Sequence, residues 1–470
     1  MSPVAVAATG TVILLALLAL RVPVAFSMFL VGFVGVWMLN GLNAATGLLA
    51  SESFTIASKP ELIVVPLFIL MGNVASITGM SRRLYEAAYA LIGQIRGGLA
   101  IATLIGCGGF AALSGSSVAS ALTIGKVSLA EMDRFRYDPK LSTGVVAAGG
   151  TLGILIPPST GFVIYAVLAE ESIGRLFLAG VIPGILLLLM FMATVYLLCT
   201  LRPGMGPRGP STTLAEKSRA IVAALPIIIL TLLTIGGIYG GFFSPSEAAG
   251  VGAGAVIADG LVTGTLTLRE LWGATRDSIV TSSAVMLILI AAHIFNPFLA
   301  LSHIPELVSN AIGAMDLGRI GTLLVILVIY MALGTFLEGF AMLVLTLPIF
   351  VPIVSGLGID LIWFGVLVVL TLEMGLISPP VGINVFIVKS VAPRVPLADI
   401  FRGVFPFWLA MLVTLLILVA IPALFGYNYL LSRIEEITAD HDIFVDELEK
   451  RIAETWQDTP APAPVPAKAA

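Results

Sequence analysis

The chain has 470 residues, 58% hydrophobic and only 11% charged, with a mean hydropathy of +1.07 and a formal net charge of −4. Soluble proteins carry roughly 25% charged residues, so the composition excludes a soluble globular protein and specifies an all-α polytopic membrane protein. Two isolated cysteines, Cys107 and Cys199, support neither a disulfide framework nor a zinc site, and no basic run points to nucleic acid.

In chain order, apolar spans at about Val4–Leu20 and Val24–Asn40 flank an Arg21-Val22-Pro23 corner. No Lys or Arg precedes Arg21, so the start lacks the charged head of a secretory signal peptide and predicts a retained first span. A polar loop is expected up to Lys59, then a third span at Glu61–Thr78. An amphipathic helix suited to the interface follows, from Arg82 to about Gln94. Two apolar arms, Gly97–Leu113 and Val118–Val127, then flank Ser114-Gly115-Ser116-Ser117. Neither arm reaches the roughly 20 residues of a crossing, so 97–127 predicts a re-entrant hairpin with the serines at its tip. A charged loop, Glu131–Lys140, leads to a span over 141–169 and another over Gly174–Leu201.

A Pro/Gly-rich linker, 202–218, separates this half from a second of the same plan. Spans are expected at Ala220–Tyr239 and Glu247–Thr265, an amphipathic Leu268–Arg276, a span at Ile279–Leu301 and an interfacial helix, His303–Met315. A hairpin over 318–352 has its tip near Gly334–Gly339, and spans over 361–388 and Gly403–Phe425 finish the core. Pro23 precedes Pro157 by 134 residues and Pro245 precedes Pro379 by 134, a common offset of 222 between halves. Each half, 1–201 and 219–427, counts five full crossings and a hairpin; an odd count inverts the second half, as in inverted-topology repeats. In that arrangement seventeen Lys and Arg lie on one side and seven on the other, which makes the first side, with the linker, cytoplasmic and both termini periplasmic. Residues 428–470 form an acidic amphipathic stretch around Arg433–Ile437 and a flexible Pro/Ala-rich end.

Chemistry concentrates at two breaks. Pro157-Pro158 and Pro379-Pro380 each interrupt a long apolar segment. Each pair removes two backbone donors and frees carbonyls one turn earlier, those of Gly153 and Ile154 and of Gly375 and Leu376. Such backbone at membrane depth is tolerated only where it is buried in protein or lines a cavity, and broken helices of this kind build the ion and substrate sites of secondary transporters. The hydroxyls of Ser114, Ser116 and Ser117 in the first half, with Gly334, Thr335 and Ser378 in the second, add oxygens that suit a hard cation by analogy with other hard ions. Small residues also simply let helices pack closely in lipid; the pairing of a tip with a break in each half favours a site. Ser116, Thr160, Thr335 and Asn384 are candidate substrate contacts. Among deep acidic residues, Glu338, Glu373 and Glu247 are functional candidates, although Glu247, beside Ser244-Pro245-Ser246, also suits a helix start. His293 and Asn296 fit packed polar groups better than metal ligands, and Arg21 serves equally as an anion contact or an interfacial anchor. No paired Asp or His-Glu-x-x-His set supports an intramembrane enzyme.

Together, Phe110–Ala119, Gly149–Ser159 and Gly375–Asn384 resemble the large membrane subunit of TRAP (tripartite ATP-independent periplasmic) transporters, and the resemblance covers roughly residues 4–427. It implies a sodium-driven elevator of the ion-transporter superfamily in the bacterial inner membrane. It implies no enzymatic activity and no cofactor, with sodium as coupling ion and no other metal. Its cargo would be an organic acid of C4-dicarboxylate or sugar-acid type, handed over by a periplasmic binding protein. A small four-helix membrane subunit, expected as a separate chain, would partner it in the bilayer. By similarity, one sodium site uses Ser114, Ser117, Gly153, Ile156 and Pro158, and the other Gly334, Gly375, Ser378 and Pro380. Ser378 stands where the family often has threonine, which keeps the hydroxyl. A stand-alone sodium–dicarboxylate symporter of the same superfamily would share these features and is the alternative.

Overall fold

The computed structural model describes residues 3–20, 22–209, 211–315 and 317–421. Arg21 and the tail expected over 428–470 lie outside them. Two compact units divide the chain; the first, to Val419, holds all that follows, and the second begins at Ala420.

The described residues form nineteen α-helices and a 3₁₀ turn, Pro60–Ile63, with no strand among them. The first half contains α1 (Pro3–Ala19), α2 (Val24–Asn40), α3 (Leu42–Ala57), α4 (Val64–Ile77) and α5 (Met80–Ile92). The hairpin follows as α6 (Gly98–Ser114) and α7 (Ser117–Arg134), the broken helix as α8 (Pro139–Leu155) and α9 (Thr160–Ala169), and then α10 (Ile173–Leu201). The second half contains α11 (Leu214–Tyr239), α12 (Pro245–Val262), α13 (Leu268–Leu301) and α14 (Ile304–Gly313). Its hairpin is α15 (Gly318–Gly334) and α16 (Gly339–Gly356), its broken helix α17 (Leu361–Gly375) and α18 (Ile383–Val391), and α19 (Leu397–Ala420) closes it. The expected hairpin, broken helix and closing span therefore recur in the same order in both halves.

Three expectations are corrected. The loop before Lys59 is the helix α3, the hairpin's second arm runs on to Arg134 rather than Val127, and Leu268–Leu301 is one 34-residue helix rather than two elements. Among the described residues six helical segments are long and apolar enough to cross a bilayer, one of them α16, which the sequence places in a hairpin rather than a crossing, and α8 with α9, bent by 42°, makes a seventh. The other expected crossings are shorter or less apolar than a full span.

Helix starts follow local chemistry. Thr213–Glu216, Ser244–Glu247 and Thr267–Glu270 are capping boxes, each side chain bonding the other's backbone N–H. Asp138 and Asp360 cap the two broken helices. Packing then groups α6, α7 and α8, lays α2 along α13 and sets α15 on α17. The linker is held by backbone bonds at the base of the first hairpin: Gly97 to Gly206, Asp138 to Met205 and Gly209 to Gly93, all 2.9–3.0 Å. Lys126 and Arg394 share one cleft of about 330 Å³. Lys59, Glu170, Glu171 and Ser244–Ser246 share another of about 540 Å³.

Candidate functional site

The first hairpin tip closes directly onto the first break. α6 ends at Gly115 with φ +56°, a left-handed turn that suits glycine. Ser116 then caps α7, its Oγ accepting from Ala119 N at 3.3 Å. From the break, Thr160 donates to the Gly115 carbonyl through both its N–H (3.4 Å) and its Oγ1 (2.9 Å). A Cβ on Gly153 would stand 2.5 Å from Ser116 O and 2.7 Å from Ser117 N, so only a residue without a side chain lets tip and break meet. Ser114 and Ser117 are buried, and Ser114 Oγ lies 3.2 Å from Ser120 Oγ. The carbonyls of Gly153 and Ile154 face Pro157 and Pro158, which have no N–H, and no other described donor reaches them.

The second tip meets its break through two glycines. A Cβ on Gly375 would stand 2.5 Å from Gly334 O. Ser378 Oγ donates to Met374 O at 2.6 Å and accepts from Trp408 Nε1 at 2.9 Å. Here the expectation of free carbonyls fails: Gly375 O accepts from Ser378 N and Leu376 O from Asn384 N, each at 3.0 Å. The connection between α17 and α18 is long enough to fold back and supply those donors. Pro379, Pro380 and Val381 are exposed.

Near the tips and breaks, two side-chain hydrogen bonds link the halves. Ser117 Oγ donates to Glu373 Oε2 at 2.7 Å, and Asn384 Nδ2 donates to Ala147 O at 3.4 Å. Of the other substrate candidates, Ser116 and Thr160 gather at the first tip, while Thr335 bonds its own helix at Ala332 O. The acidic candidates part company. Glu373 is fully buried, whereas Glu338 is an exposed helix cap accepting from Ala341 N, and Glu247 is the capping-box partner that its Ser-Pro-Ser neighbourhood suggested. His293 bonds Leu289 O within its own helix. The Trp408–Ser378 and Thr160–Gly115 bonds had no sequence signal; the signal for Glu373 was an acid in an apolar run. Outside the spans, burial raises the Glu171 carboxyl above its ordinary range, with Arg175 opposing and Asp360 adding to the shift.

The tips and breaks thus bring hydroxyl and carbonyl oxygens and one carboxyl into the buried interior, oxygen donors of the kind that suit a hard cation. A family profile, "Tripartite ATP-independent periplasmic transporter, DctM component", matches residues 11–424. The chain is 38% identical to the C4-dicarboxylate TRAP transporter large permease protein DctM of Pseudomonas aeruginosa, over 80% of this chain and 87% of that one. It is 32% identical to the sialic acid TRAP transporter large permease protein SiaM of Vibrio cholerae, over 87% and 94%. In fold it is similar to the YdaH transporter of Alcanivorax borkumensis, with a TM-score of 0.58 at 15% identity, over 82% of this chain and 90% of that one. Broken helices, matched tips and these relatives agree: the chain belongs to the DctM family of TRAP transporters, as a large membrane subunit, and is not an enzyme.

Proposed function

We propose that this subunit drives uptake of an organic acid, of C4-dicarboxylate or sugar-acid type, with an inward sodium gradient across the bacterial inner membrane. A periplasmic binding protein delivers the acid, and a small four-helix membrane subunit holds the large one in the bilayer. Both termini face the periplasm on this reading, in keeping with the charge faces. Sodium binds between each hairpin tip and its break, neutralising carbonyl dipoles and ordering the tips. The N-terminal ends of α9 and α18 then offer positive dipole ends to the carboxylate, and the two tip-and-break units cross together as a body.

The observation that carries this reading is the closure of the first tip on the first break, where the Gly153 backbone abuts Ser116 and Ser117 and Thr160 bonds the Gly115 carbonyl. The relatives named for C4-dicarboxylate and sialic acid support the acid class. The test is uptake of labelled C4-dicarboxylates and sugar acids into proteoliposomes holding this chain and its small subunit, with and without the binding protein. Uptake needing both sodium and the binding protein is expected. Sodium-driven uptake without the binding protein would favour the stand-alone symporter, and sodium-independent uptake would end the coupling proposal.

A further inference from the structure

Glu373 lies on α17, three residues before the second break, yet its side chain bonds the first half. It is fully buried, and Oε2 accepts the Ser117 hydroxyl proton at 2.7 Å. Oε1 has no hydrogen-bond partner. Asn384 is equally buried, and its Oδ1 is also without a partner. Asn384 lies near the backbone of the residue that Glu373 bonds: its amide nitrogen Nδ2 and the Ser117 carbonyl stand 3.2 and 3.1 Å from where a Cβ on Gly150 would lie. Among the described residues Glu373 forms no ion pair. A carboxylate and an amide oxygen buried with no counter-charge and no donor are costly to maintain, and acceptor-only oxygens in such surroundings suit a cation. Ser117 fits that role too. It gives its only hydroxyl proton to Glu373, so its oxygen lone pairs stay available to an ion.

We propose that Glu373 is the counter-charge of the first ion site and that Asn384 Oδ1 adds a further ligand, so the site at Ser117 is built from both repeats. The inference rests on the sodium reading above and deepens it. It also gives the coupling a physical basis: an ion in the first repeat is held by α17, the helix that ends at Gly375 and leads directly into the break bearing Ser378 of the second site. Filling one site therefore fixes the break that forms the other.

The test is equilibrium binding of radioactive sodium to the purified chain with its small subunit, together with the rise in melting temperature that sodium produces. Glu373→Gln keeps the shape and removes the charge; it is expected to weaken sodium binding at least tenfold and to lose most of the sodium-induced melting shift. Glu373→Asp keeps the charge on a shorter arm, so it is expected to bind several-fold more weakly than wild type and with an altered lithium-to-sodium ratio. Ser378→Ala is expected to weaken only the other class of site. Wild-type affinity and stoichiometry in Glu373→Gln, with Ser378→Ala impaired, would overturn the role of Glu373 and leave the sodium reading standing. If Glu373→Gln does not fold, an unchanged affinity and lithium ratio in Glu373→Asp would overturn it instead. Absence of sodium binding by the wild-type protein would overturn both.

Discussion

The two broken helices carry the same device, a glycine followed four residues later by Pro-Pro, yet they fold differently. In the first, the break between α8 and α9 spans only 156–159, stays buried apart from half-buried Ile156, and leaves two carbonyls unbonded. In the second, the break spans 376–382, turns back to satisfy its own carbonyls and exposes both prolines. The first tip is clasped by Thr160, whereas Thr335 of the second tip bonds only its own helix. On the proposed sodium reading, one motif thus yields a site whose oxygens stand ready and a site that must exchange internal bonds for an ion. Ready-made sites bind more tightly, because less ordering remains to be done on binding. The first site is therefore expected to fill first.

Substitutions at the paired glycines test this most severely. A methyl at Gly153 meets the backbone of Ser116 and Ser117 within a fixed, buried closure. Overpacking of this kind costs about 1–3 kcal/mol, and 1.4 kcal/mol is tenfold, so Gly153→Ala is expected to lose up to about a hundredfold in apparent sodium affinity. Gly375→Ala meets Gly334 in the more adaptable half and is expected to lose about tenfold. Sodium titrations of uptake compare them directly, and equal losses would erase the distinction drawn between the halves.

Next in size is the clasp. Thr160→Val removes one hydroxyl bond to Gly115, worth about 1 kcal/mol, so sodium affinity should fall about fivefold; Thr160→Ser should restore it. Smaller still is Trp408→Phe, which removes the donor that competes with a cation for Ser378 Oγ. Sodium binding at the second site is expected to tighten about two- to threefold, a fraction of one hydrogen bond, with the first site unchanged. A weaker second site would show instead that the indole bond orients Ser378 for the ion.

The smallest effect serves as a control away from both sites. Glu171 has its carboxyl raised by burial, so ionising it in the folded state costs stability. That cost is absent below the ordinary carboxylate range and grows as pH rises through it toward the raised value. Glu171→Gln is expected to melt slightly higher than wild type at about pH 8 and identically at about pH 4. Sodium affinity should not change.

Much of this arrangement was legible in the chain. Proline pairs in apolar runs and Gly/Ser tips located both breaks, both hairpins and the residues that meet across them. The misread elements share one cause: polarity was taken as the end of a helix. Ser51-Glu52-Ser53 in α3, Lys126 to Asp133 in α7 and Arg276-Asp277-Ser278 in α13 are polar, but no proline interrupts these stretches, so the helices continue. In a membrane protein such residues mark where a helix leaves the apolar layer, which is a different event from its termination. The rebonded carbonyls of the second break were not legible, because they depend on how the 376–382 segment folds back. The bond between Ser117 and Glu373, 256 residues apart, lies beyond any local pattern.

The bond from Trp408 Nε1 to Ser378 Oγ has a further consequence. An indole's emission shifts with the partner of its N–H, and this indole's partner is a hydroxyl that a bound cation would draw upon. The protein thus contains its own fluorophore at the second site. Because Trp363 bonds a backbone carbonyl, Leu418 O, instead, a chain retaining Trp408 alone among its five tryptophans would report occupancy of that site as a colour change, in real time and without a label.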